Sequence, residues 1–200
     1  EFNPASAELA LNFQTSVRHL AMFSQFLTKL TGGVGANQIR AQIAHVLLRD
    51  LLGVNPKNVS QEFLTQNLGL NNDQAKTLLS ALAGSRNVNA QQLRRALENL
   101  VQGLQSKGLF KEGSQALQVR VVFDRNRQLT EAHVQMEVKV DALKGFLKNR
   151  QAEILSNLAN AAGLQTVVFG LTLTGFAQDR VQAKTTFSFN LKSVEKQATF

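Results

Sequence analysis

Three histidines, His19, His45 and His133, are the residues best suited to acid–base or metal chemistry. A helical zinc pair needs ligands roughly three to five residues apart, and no two of these histidines have that spacing. Cysteine is absent, which removes thiolate ligands, disulfides and cysteine nucleophiles together. No Gly-x-Ser-x-Gly turn presents a serine to a histidine. The acids Asp50, Asp73, Asp124, Asp141 and Asp179 mostly fall at the ends of expected elements, where turn and cap roles explain them. Their spacing brings no two together as a glycosidase-type pair. Gly32, Gly33 and Gly35 resemble a phosphate-binding loop only loosely, because a helical pattern precedes them and Gln38-Ile39 follows. They read as a helix stop and linker, although the next helix N-terminus still attracts an anion. These residues point away from an enzyme and imply no metal or cofactor.

The elements that would position any site follow from periodicity. Up to about Gly108 the apolar residues recur at helical spacing, and from Leu117 they alternate every second residue. Five helices are expected in the first half. Ser6 caps the first, with Leu9, Phe13, Val17, Leu20, Phe23, Phe26, Leu27 and Leu30 on its apolar face. Asn37 caps the second, carrying Ile39, Ile43, Val46, Leu47 and Leu51. Ser60 opens the third, and Gly69 ends it. Asn71 with Gln74 and Asn89 with Gln92 are capping-box variants that open the fourth and fifth.

Sheet signals fill the second half. Leu117, Val119, Val121 and Phe123 alternate with polar residues, as do Val134, Met136, Val138 and Val140 after a turn at Arg125-Asn126-Arg127. Asp141 caps a helix with Leu143, Phe146, Leu147, Ile154, Leu155 and Leu158 inward, to pack on one sheet face. Val167, Phe169, Leu171 and Leu173 mark another strand. Val181, Ala183, Thr185, Phe187, Phe189 and Leu191 mark the last. The expectation is an α+β protein: a helical array over residues 1–110, then a β-β-α-β-β antiparallel sheet module over residues 111–200.

In outline, a helical half followed by a smaller α+β module resembles the COMM-domain scaffold proteins. The phrase Asn67-Leu68-Gly69-Leu70-Asn71-Asn72-Asp73-Gln74-Ala75 is similar to part of their helical region. That resemblance implies a scaffold role. The chain departs from the pattern in lacking tryptophan, in the helix expected between its strands, and in having no helix after the last strand.

The net charge is +8, and 44% of residues are hydrophobic, enough for a real core. The excess is dispersed: each half carries +4, and the tightest basic group is Lys144, Lys148 and Arg150. Such a surface suits weak phosphate binding, and the expected buried positions of Phe123, Phe169, Phe187 and Phe189 leave no ring for base stacking. No apolar run of about 18 residues occurs, so no transmembrane segment is expected. The chain opens Glu1-Phe2 rather than with methionine and reads as a processed or excised product. Its lack of cysteine fits a reducing cytoplasm or an exported bacterial domain equally.

The leading expectation is a non-enzymatic interaction or assembly module, self-associating and binding other chains through open sheet edges. Arg120, Glu137, Lys139 and Lys184 on the polar sheet face are the expected partner-binding residues, with Arg120 and Glu137 paired across the hairpin. A groove near Phe13, Phe23, Phe26 and Phe63 is a further candidate. The alternatives are a nucleic-acid-binding protein that contacts phosphates non-specifically, and a carrier of apolar ligands or lipid in a Phe-lined cavity.

Overall fold

The structure is a computed structural model. It describes residues 2–3, 8–31, 35–113, 116–142, 154, 157–158, 160–178 and 180–188. Strands β1 (Phe2–Asn3) and β2 (Glu8–Thr15) lead into helices α1 (Leu20–Leu30), α2 (Ala36–Val46), α3 (Gln61–Leu68), α4 (Asn72–Leu82) and α5 (Ala90–Ser106). Strands β3 (Leu117–Phe123), β4 (Leu129–Lys139), β5 (Thr166–Thr174) and β6 (Gln182–Ser188) complete an antiparallel sheet in the order β1-β2-β3-β4-β5-β6. The α+β class and the antiparallel sheet are as the periodicity indicates.

The first element differs. Residues 8–15 are a strand rather than the start of a helix, and β2 pairs with β3 from Leu9↔Phe123 to Thr15↔Leu117. Helix α1 begins only at Leu20, after a short 3-10 turn at Val17–His19. Strand pairing therefore spans the seam expected near residue 110. One apolar core likewise runs from Val17 and Leu20 through Leu97 and Leu104 to Val134, Phe169 and Leu173.

Local chemistry explains the helix starts. The Ser60 hydroxyl accepts from the Phe63 amide at 3.1 Å. Asn71 and Gln74 form a reciprocal capping box at 2.8 and 3.1 Å. Asn89 Oδ1 accepts from the Gln92 amide at 3.0 Å. Asn37 does not cap α2. Gly35 holds that position in a left-handed conformation (φ 74°), and the Asn37 side-chain amide instead donates to the Val88 carbonyl at 3.1 Å, tying α2 to the α4–α5 loop. Helix α2 runs on into a π turn at Leu47–Leu51, whose leucines 47, 48 and 51 are buried.

The helix expected from Asp141 is only partly described. Its residues Leu143, Phe146, Leu147 and Leu155 lie outside the described residues, as do Phe189 and Leu191 of the last expected strand row and the basic group Lys144, Lys148 and Arg150. Ile154 and Leu158 are helical but about half exposed (51% and 53%), which corrects their expected inward placement. Among the described residues, the sheet's apolar face shares a core with α1, α2 and α5.

Gly103 is where α5 meets the end of α3. A Cβ there would lie 2.4 Å from the Leu68 carbonyl oxygen. Alanine is intrinsically better than glycine inside a helix by about 1 kcal/mol, but overpacking against backbone costs about 1–3 kcal/mol. Gly103→Ala is expected to lower the urea unfolding midpoint. A raised midpoint would refute this close approach.

Candidate functional site

Cross-strand register sorts every strand residue onto one of two faces, because paired residues share a face and neighbours alternate. On the outer face one row reads Asn12, Arg120, His133, Thr172, Lys184; the next reads Gln14, Gln118, Gln135, Gly170, Thr186. On the inner face Leu11, Val121, Ala132, Leu173 and Ala183 form one row, and Phe13, Val119, Val134, Leu171 and Thr185 another.

The four expected partner-binding residues all map to the outer face but not to one cluster. Arg120 and Lys184 stand in the same row with two strands, β4 and β5, between them, and both are exposed. The expected Arg120–Glu137 pair does not form. The register sets Arg120 opposite His133, Arg120 reaches Asn12 Oδ1 at 3.5 Å, and Glu137 binds Lys111 Nζ at 2.8 Å. Lys139 is exposed at the end of β4, opposite Thr166.

The same face contains a hydrogen-bonded chain that sequence spacing hides. His133 Nε2 lies 2.8 Å from Glu131 Oε2, and His133 Nδ1 lies 2.9 Å from the Thr172 hydroxyl. Its order, hydroxyl to imidazole to carboxylate, is that of a catalytic triad. The setting differs from a triad's in one respect: the Glu131 carboxylate is exposed rather than buried behind the imidazole. The chain acts as a cross-strand polar clamp. His19 is held locally, by Thr15 and by Ser16 at 3.3 Å. Among the described residues no group of three His, Asp or Glu converges as a metal site.

The apolar side of β2 was missed, and it is the most unusual surface. Leu9, Leu11 and Phe13 point to the inner face, yet remain 40%, 46% and 39% exposed. Met22 and Phe26 of α1 extend the patch at 55% and 36%. Phe13 and Phe26 meet edge-to-face with centroids 5.7 Å apart, and Phe26 also abuts Phe23 at 6.4 Å. Phe23 is buried and Phe63 partly so, and both belong to the core rather than to a groove. The expected groove thus reduces to Phe13 and Phe26. Strand β1 covers β2 only at Glu8 and Leu9, so among the described residues no strand pairs the outer edge of Leu11–Thr15.

Helices and sheet are also joined by a polar clamp. Asp50 accepts from Thr185 on β6 at 2.9 Å and from Arg49 at 2.8 and 2.9 Å, and Arg49 NH1 lies 3.1 Å from His45 Nε2. Burial alone would raise the Asp50 carboxyl. The hydrogen bonds from Arg49 and Thr185 and the charges of Arg49 and His45 outweigh it and hold Asp50 below the usual carboxylate value. Burial, aided by the Arg49 charge, pushes His45 below the usual imidazole value.

Comparison with family models, with curated proteins and with solved structures finds no match to this chain.

The clamp fixes the sign of the acid response. Folded His45 resists protonation, so stability is full above about pH 6.5 and falls as the pH drops below that value. Folded Asp50 keeps its charge longer than the unfolded chain does, so its contribution is present above about pH 4 and is lost as the pH falls through its depressed value. Urea midpoints measured from pH 7 down to pH 3 are expected to show both declines. His45→Gln should flatten the upper one and Asp50→Asn the lower one.

Proposed function

We propose that this protein is a non-enzymatic assembly module that binds a second copy of itself through the exposed edge of β2. The observation that carries this reading is the exposed apolar set Leu11, Phe13, Met22 and Phe26, lying beside an edge, Leu11–Thr15, that no described strand pairs. An open edge presents unpaired amides and carbonyls, and natural sheets protect such edges with lysine, proline or short strands. Residues 9–15 carry no charge and no proline. The other edge strand, β6, carries Lys184.

Charge selects the partner. Two copies at +8 repel each other over most of their surfaces, and the neutral β2 strip is where they approach at least cost. Antiparallel β2–β2 pairing about a twofold axis is self-complementary: each Phe13 and Leu11 meets the same patch on the other copy. The sheet would run continuously through both protomers, and the patch around Met22 and Phe26 would be covered beside the seam. Arg120, Lys139 and Lys184 would govern the approach of the two copies and not the contact itself.

Sedimentation equilibrium and light scattering over micromolar to hundred-micromolar concentrations test this reading. A reversible dimer is expected. Leu11→Lys with Phe13→Lys should give monomers with an unchanged far-ultraviolet circular dichroism spectrum. Lys139→Glu with Lys184→Glu should change the salt dependence of association and keep the dimer at moderate salt. A wild-type monomer throughout, or a dimer that survives lysines at positions 11 and 13, would overturn it.

A further inference from the structure

A polar cleft of about 920 Å³ opens between the start of α2, the α4–α5 connection and the β5–β6 turn. It lies outside the β2 surface, and its lining is of a different kind. Arg86 enters from the α4–α5 connection and Arg180 from the β5–β6 turn, while His45 stands on α2. The amides of Asn37, Gln38, Gln42 and Gln178 supply further hydrogen-bonding groups. His45 also borders a second hollow, of about 470 Å³, that adds Arg49 and Lys57. The positive charge that looks evenly dispersed along the sequence thus lines two hollows that share His45, with Arg86 and Arg180 in the first and Arg49 and Lys57 in the second.

The backbone is shaped to hold these cations. Gly175 has φ 84°, and a Cβ there would lie 2.0 Å from the Arg180 carbonyl oxygen. Only glycine permits that turn, and the Gly175 carbonyl then accepts from the amides of Gln178 and Arg180 at 3.3 and 3.1 Å. Gly84 (φ 86°) ends α4 and sends the chain to Arg86. The Asn37–Val88 hydrogen bond fastens the α2 side of the cleft to the α4–α5 side. Neither arginine has an ion pair among those formed by the described residues.

We infer that this cleft binds a small phosphorylated molecule of about nucleotide or sugar-phosphate size. Two exposed arginines, contributed by separate segments of the lining, suit the oxygens of a phosphate or diphosphate, which arginine binds by paired charge-assisted hydrogen bonds. The hydroxyl groups of the same ligand match the amide lining. Asn37 also lines the cleft, where its side-chain nitrogen donates to Val88 and holds the α2 wall in place. The volume is that of a small-molecule site, about 300–1,000 Å³. No aromatic ring lines the cleft among the described residues, so recognition rests on phosphate and hydroxyl groups and not on base stacking.

Isothermal titration calorimetry of the whole chain with pyrophosphate, ATP and ribose 5-phosphate tests the inference. Saturable binding of at least one is expected, weakened by about tenfold or more by Arg86→Glu and by Arg180→Glu. Equal affinity for pyrophosphate and ATP would assign the energy to the anion, and tighter ATP would add the nucleoside; either result supports the site. Lys139→Glu with Lys184→Glu, on the outer face of the sheet, should leave binding unchanged. No saturable binding of the three probes would overturn the inference. So would equal weakening by the sheet-face reversals, which would mark diffuse charge attraction, or binding confined to a mixed-sequence oligonucleotide. Thermal unfolding of each variant guards against misfolding, since Arg86 and Arg180 are exposed and their replacement should leave the midpoint in place.

Discussion

Pairing of β2 with β3 is the constraint on which the rest of the structure depends. It brings residues 8–15 to residues 117–123, and so closes a chain of five helices onto the sheet that follows them. Helix α1 is delivered beside that strand within a few residues, which sets Phe26 against Phe13. The closure of so long a loop costs entropy that grows only slowly with length, and burying a shared core offsets it. The sheet can therefore have its apolar face covered by helices that precede it in sequence, without relying on the helix expected between β4 and β5. Among the described residues the same pairing leaves an edge, because β2 has β3 along one side and β1 at Glu8 and Leu9 on the other.

Much of this was legible in the chain. Helices α2 to α5 followed from periodicity and from the side chains that begin them, since a short polar side chain at an N-terminus satisfies a backbone amide locally. Strands β3 to β6 followed from strict alternation. The failure at residues 8–15 has a clear physical origin. Leu9 and Phe13 are four apart, a spacing shared by a helix face and by every second position of a strand. Leu11 was the discriminating residue. Leu9, Leu11, Phe13 and Thr15 fall on one side, while Asn12 and Gln14 fall on the other.

Register was not legible. The β3–β4 loop and an irregularity between Val122 and Phe123 decide which residues face each other, and they set Arg120 against His133 rather than Glu137. The Thr172–His133–Glu131 chain was hidden for the same reason, since Thr172 is 39 residues from His133 and arrives on a different strand. Alternation assigns a face, but position along the neighbouring strand depends on turn geometry. The cleft was further out of reach, because three distant segments compose it and its two arginines, Arg86 and Arg180, come from different ones.

The two surfaces divide the chain's charge in a way that composition cannot express. A net +8 spread over 200 residues suggests uniform weak attraction to anions. The fold instead leaves residues 9–15 of β2 uncharged and brings Arg86 and Arg180 from distant segments to one cleft that His45 also lines. The clamp between Asp50, Arg49 and Thr185 lies at that second place, so the helical array is fastened to β6 beside the cations of the cleft. A phosphate bound near His45 would favour the imidazolium that burial and Arg49 disfavour. A ligand held there would then be coupled to the clamp through the protonation of one side chain, and its occupancy and the acid stability of the fold would change together.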